Sequence, residues 1–214
     1  MSLLMDLTVR GFSDVLASNE PAPGGGSAAA LAGVLGASLS IMVVNLTVGK
    51  KAYESLQEDI KVNILNDFKV LQRLKSELTD LVDEDTKAFS LFFEAQKMPK
   101  DSENEKSRRE VAMTKAGIYA LEVPLSVAEK CLSILKHQII IAKYGNKNAI
   151  SDIGVGSLLA LTGLEGAVLN VKINLPGIND DGIRKDALEK IGGYVSEGYA
   201  LKSEIMEVVN TRMV

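Results

Sequence analysis

Apolar positions recur at steps of three and four along most of this chain, and two stretches almost lose their charge. Leu71, Leu74, Leu78, Leu81, Asp85, Ala88 and Phe92 trace one helical face, predicting a long helix from about Glu54 to Ala95. Asp85 interrupts that apolar stripe, while Asp83, Glu84 and Lys87 fall off it and read as solvated. Met98-Pro99-Lys100-Asp101-Ser102 breaks the pattern, with Ser102 or Asp101 placed to cap the next helix. The rhythm resumes through Val111, Thr114, Ile118, Leu121, Leu125, Ala128, Leu132, Leu135, Ile139 and Ala142. Pro124 lies inside it, so a kink or restart is expected there. A short amphipathic helix is read over Asp6 to Ser18, with Val9, Phe12, Val15 and Leu16 on one side, and a last helix from about Ile183 to Thr211.

The two neutral stretches read differently. Between Glu20 and Lys50 there is no charged residue. Pro21-Ala22-Pro23-Gly24-Gly25-Gly26-Ser27 feeds an Ala/Gly/Ser-rich helix over about 26–47, in which Gly33 and Gly36 permit close helix approach. Asn45-Leu46-Thr47-Val48-Gly49 closes it before Lys50-Lys51. A second nearly neutral helix runs from Ile153 to about Asn174, after Ser151-Asp152. Residues 21–49 exceed the ~20 needed to span a bilayer, but their Pro/Gly/Ser opening favours a buried helix over a membrane span. With no convincing strand and no internal repeat, the chain reads as one all-α domain over 1–214. It is a bundle of long amphipathic helices around two buried small-residue-rich helices.

Composition narrows the function. Aromatics are only 5% and Trp is absent, so the core must close on small and aliphatic side chains. A net charge of −4 gives no basic footprint for nucleic acid. One cysteine, Cys131, excludes an intrachain disulfide and fits a reducing cytoplasm, and no signal peptide is read at the N-terminus. With one His and one Cys, a Cys/His zinc cluster within one chain is excluded, and no metal is expected. Cys131 reads as a small buried hydrophobe and His137 as solvated; Glu165 either pairs with a buried partner or reaches a site.

Four features rise above packing. Gly24-Gly25-Gly26-Ser27 before a helix either forms an ordinary loop and N-cap or aims backbone N–H groups at a ligand. Asn45 to Lys51 either caps the far end of the same helix or offers Lys50 to a carboxylate. Asp85 needs a partner, a raised pKa or a cavity, and a raised-pKa carboxylate suits general acid–base work. In Gly145-Asn146-Lys147-Asn148-Ala149-Ile150-Ser151-Asp152, Ser151 can cap the helix with Asp152 in its first turn. Asn146 and Asn148 offer amides for a heterocycle's donor and acceptor edges.

These segments, with Asp6-Leu7-Thr8-Val9, Asp83 to Phe89, Glu122-Val123-Pro124-Leu125 and Asn170-Val171-Lys172-Ile173-Asn174, resemble the formiminotransferase-cyclodeaminase family, nearly end to end. The resemblance is to a stand-alone cyclodeaminase domain. It implies an all-helical homodimer with a folate site near the subunit interface. The implied reaction converts 5-formiminotetrahydrofolate to 5,10-methenyltetrahydrofolate and ammonia. The alternative is methenyltetrahydrofolate cyclohydrolase, giving 10-formyltetrahydrofolate; a non-catalytic helical scaffold competes with both. On this reading Asp85 is the acid/base, with Asp152 as the second catalytic candidate. Asn146 and Asn148 orient the pterin or one-carbon unit. Gly24, Gly25, Gly26, Ser27 and Lys50 hold polar groups or the glutamate tail, and Asn45 and Ser151 are further binding candidates. No cofactor is expected beyond the tetrahydrofolate substrate, with or without a polyglutamate tail, and no membrane or nucleic-acid partner is expected.

Overall fold

The computed structural model describes residues 3–214. Seven α-helices account for nearly all of it: α1 (Val9–Leu16), α2 (Gly25–Thr47), α3 (Lys51–Glu54), α4 (Glu58–Lys97), α5 (Glu103–Tyr144), α6 (Ile150–Asn174) and α7 (Asp181–Met213). Short 3-10 turns at Leu4–Asp6, Lys147–Ala149 and Leu175–Gly177 complete the elements, and no strand is present among the described residues.

The small residues of α2 and α6 let these two helices touch backbone to backbone. A Cβ on Gly36 would lie 2.8 Å from the Gly156 carbonyl, and one on Gly163 would lie 2.8 Å from the Ala29 carbonyl. The same pairings, with Gly25 beside Asn170, make α2 and α6 antiparallel. Cys131 of α5 fills the space above Gly33 and Gly163 and is fully buried. Burial pushes its thiol pKa up to about 12, as befits the inert hydrophobe expected from sequence. Both α2 and the segment Lys147–Gly177 are long and apolar enough to cross a membrane, but in this fold they pack on each other and on their neighbours.

The long helices cover this pair on three sides. α4 flanks α2, α7 flanks α6, and α5 lies behind both. The fourth side stays open, leaving Leu35, Met42 and Leu46 of α2 and Val155, Leu158 and Leu169 of α6 exposed. On α4, Leu71, Leu74, Leu78 and Ala88 are buried as the stripe predicts, and Ser102 starts α5 with a reciprocal capping box to Glu105. α2 ends where expected, with Gly49 in the left-handed region at φ 73° just beyond it.

Several expectations need correction. The helix of Asp6–Ser18 is a 3-10 turn followed by α1, capped by Thr8; Val9 and Leu16 are exposed, and Phe12 and Val15 are only half-buried. Asp83 is not free in solvent: it is half-buried and accepts a hydrogen bond from Leu4 N at 2.6 Å, pinning the N-terminal segment to α4. His137 is half-buried too, with Nδ1 2.8 Å from Asp67 Oδ1. Of the kink or restart expected at Pro124, the restart does not occur: α5 runs through to Tyr144.

Candidate active site

Asp85 meets the start of α2 from across the bundle. Its Oδ2 accepts from Ser27 N at 2.8 Å and from Ser27 Oγ at 2.9 Å. The first turn of any helix has N–H groups without internal partners and a positive dipole end, so a carboxylate fits there. α2 itself supplies no capping side chain, because its N-cap is Gly24. Asp85 therefore does from α4 what a Ser or Asp would do locally. Burial raises its pKa, and the two hydrogen bonds from Ser27 partly offset that rise. The triple glycine has a steric reason at one position. A Cβ on Gly26 would lie 2.0 Å from Asp85 Oδ1, so only glycine leaves the carboxyl where it is.

Around Asp85 opens a cleft of about 350 Å³. Pro21, Ala22 and Gly24 to Gly26 form one wall. Ala88, Phe89 and Phe92 extend from Asp85 along α4, Gly117 and Ala120 face from α5, and Asn170, Ile173 and Asn174 close it from α6. Among its lining residues Asp85 is the sole ionisable side chain. The cleft is thus a mostly apolar slot with one carboxyl and two amides, an arrangement suited to moving a proton on a flat ligand.

The other sequence candidates lie elsewhere. α2 has 23 residues, so at about 1.5 Å per residue its two ends are roughly 33 Å apart. Asn45 and Lys50 sit at the far end, both exposed, Asn45 in a separate shallow groove with Gln72 and Lys75. Asn146, Asn148, Ser151 and Asp152 are at that end as well, because α6 runs antiparallel to α2. Within one chain they do not join the Asp85 cleft. Asn146 is also occupied structurally. Its Oδ1 accepts from Asn148 N at 3.0 Å and its Nδ2 donates to Leu46 O at 2.9 Å, while its own N–H donates to Thr47 Oγ1 at 2.8 Å. Ser151 is not the N-cap of α6; the helix follows directly from the 3-10 turn that Asn146 caps, leaving Ser151 exposed in the first turn. Glu165 accepts from Tyr199 Oη rather than reaching the cleft.

Asn170, Asn174, Phe89 and Phe92 also line the cleft, with no site role expected for them from sequence. A signal was available: two asparagines four apart share a helical face, and here they do so at the end of a nearly uncharged helix.

Helices packed around a nearly uncharged pair, with a cleft at one end of it that holds a half-buried carboxyl, define the class: an all-α bundle with a carboxyl-bearing cleft. The comparisons place it more closely. A formiminotransferase-cyclodeaminase family model matches residues 8–192. The chain is 38% identical over 206 residues to a methenyltetrahydrofolate cyclohydrolase from Methylorubrum extorquens, covering 96% of this chain and 97% of that protein. It is 34% identical over 194 residues to the formimidoyltransferase-cyclodeaminase of Mus musculus, covering 91% of this chain but 35% of that longer protein. The fold matches the crystal structure of a formiminotetrahydrofolate cyclodeaminase from Thermotoga maritima with a TM-score of 0.83 at 27% identity, covering 96% and 97% of the two chains. This chain belongs to the formiminotransferase-cyclodeaminase family.

Proposed function

We propose that the protein is an enzyme acting on the one-carbon unit of a tetrahydrofolate, with Asp85 as its acid/base. The observation that carries the reading is the half-buried Asp85 carboxyl, held by Ser27 in the one cleft wall where Gly26 leaves room for it. Cyclodeamination needs two proton movements at one carbon. N10 of 5-formiminotetrahydrofolate attacks the formimino carbon and loses its proton; the amino group on the resulting tetrahedral carbon gains one and leaves as ammonia, giving the methenyl ring. One carboxyl with a raised pKa can take the first proton and return it in the second step.

A cyclohydrolase reading stands beside it, favoured by the full-length relative of that name at 38% identity. There water attacks the methenyl carbon and loses one proton to Asp85; N5 receives that proton as its bond to the carbon breaks, and the hydroxyl gives its remaining proton to solvent as the carbonyl forms, giving 10-formyltetrahydrofolate. The two reactions share the tetrahedral carbon and the same proton shuttle. Supplying 5-formiminotetrahydrofolate and following ammonia with methenyl absorbance tests the first. Following loss of methenyl absorbance above the spontaneous rate tests the second. In either assay Asp85→Asn is expected to keep the fold and folate binding and to lose roughly 10²–10⁴-fold in kcat. A fully active variant refutes the assignment, and a protein inactive in both assays that gains no thermal stability from tetrahydrofolates leaves the scaffold reading.

We further propose a homodimer formed through the open side of α2 and α6. Six large apolar side chains are exposed there, and α2 carries no charge along its length. An antiparallel second copy would bring its Asn148–Asp152 end towards the Asp85 cleft of the first. This would reunite the candidates that a single chain keeps apart, with Asp152 acting in the partner's site.

A further inference from the structure

Pro124 has no N–H, so the Ala120 carbonyl four residues earlier in α5 lacks its helical donor. Asn174, the last residue of α6, fills that gap: its Nδ2 donates to Ala120 O at 2.7 Å. One turn earlier, Asn170 Nδ2 donates to Gly166 O at 2.8 Å. A carbonyl can accept only from the NH₂ of an amide, so these bonds fix which end of each side chain is nitrogen. Each Oδ1 is thereby turned away from the anchoring carbonyl, and neither has a protein donor among the described residues. Both asparagines line the Asp85 cleft, as does Ala120 itself.

We propose that Asn170 and Asn174 form a preset pair of acceptors that recognises the hydrogen-bond-donating edge of the pterin ring, and that Pro124 is a positioning residue holding Asn174 in that orientation. This rests on the folate reading above. The chemistry fits a tetrahydropterin, whose ring N–H and 2-amino groups are donors and whose flat faces suit the apolar walls of Ala88, Phe89 and Phe92. An unanchored asparagine can turn either end of its amide to the ligand. One whose nitrogen is anchored through one of its two N–H groups presents its oxygen in a fixed orientation, and so favours donors without ordering a side chain on binding.

The test is titration of the intact protein with tetrahydrofolate, alongside steady-state turnover. Asn170→Ala and Asn174→Ala are each expected to weaken binding by about 2- to 12-fold, the range for one neutral hydrogen bond. KM should rise accordingly while kcat stays within about twofold, a split that general loss of structure does not give. Pro124→Ala restores the N–H that competes for Ala120 O. It should weaken binding on its own, and Asn174→Ala should add little in that background. Unchanged tetrahydrofolate affinity in both asparagine variants overturns the acceptor pair. Additive effects of Pro124→Ala and Asn174→Ala overturn the positioning role. Should Pro124→Ala fail to fold, the same affinities in Asn174→Ala and Asn174→Asp decide it: the carboxylate keeps the acceptors but cannot donate to Ala120 O. Affinity preserved in Asn174→Asp would therefore overturn the anchored orientation. If the unsubstituted protein does not bind tetrahydrofolate, the folate reading falls, and the acceptor pair with it.

Discussion

Ser27 sets the balance at Asp85, because its N–H and hydroxyl both stabilise the charged carboxylate against the cost of burial. Burial still prevails, so the folded chain holds the Asp85 proton more tightly than the unfolded one. Its contribution to stability is therefore full below the ordinary value of 3.8 and is lost as pH rises through the higher folded pKa. Both proposed reactions begin with the carboxylate taking a proton, so activity should fall on the acid side of that folded pKa. Ser27→Ala removes one of the two charge-stabilising bonds and raises the pKa further. The acid limb of the kcat/KM profile should then move to higher pH, while the stability attributable to this group persists to higher pH as well. A limb that stays put, or moves down, would mean that another group titrates. The residue scale is also where sequence served best: a lone carboxylate on an apolar stripe requires an explanation, and the structure supplies Ser27 and a cleft.

At the scale of elements, helix period gave α2, α4, α5 and α7 closely, since long apolar stripes and glycine-rich runs constrain backbone more than they constrain partners. Which ends meet is a different matter. Nothing local in Asn146 or Thr47 tells that one caps the other, because that pairing depends on α2 and α6 being antiparallel. That direction also sets Lys50 and Asn146 at the opposite end of one chain from Gly26. Pro124 was legible as a helix anomaly, but its repair by Asn174 was not, because the donor comes from another helix 50 residues on. The α2–α6 junction should be structural rather than catalytic. Buried Thr47 accepts from Asn146 N–H at 2.8 Å and donates to Val43 O at 2.6 Å. Thr47→Val keeps the volume but strands that N–H, and is expected to cost about 1–3 kcal/mol. Chemical denaturation measures the loss, and folate KM should be unaltered; a shifted KM with unchanged stability would reverse the assignment.

At the scale of the whole molecule, the open side of α2 and α6 raises the question of how a single chain would use both halves of its polar inventory. Exposed Leu35, Met42, Val155 and Leu158 form an apolar face between flanking helices, the kind of surface that symmetric self-association covers. In an antiparallel pair each cleft would combine Asp85 of one protomer with Asp152 of its partner. Two variants that are each inactive, Asp85→Asn and Asp152→Ala, then become informative together. Unfolding and refolding them as an equimolar mixture makes half of the dimers mixed. In each mixed dimer one cleft carries both substitutions and the other carries neither, so about a quarter of wild-type activity should return. If instead each site is complete within one chain, every cleft in the mixture carries one substitution and no activity returns. Leu158→Glu places a charge in the centre of the apolar face, and should yield monomers by light scattering that lose turnover while retaining helical content. A monomer of undiminished activity would show that the Asp85 cleft works alone, and would return Asp152 to a role at the start of α6.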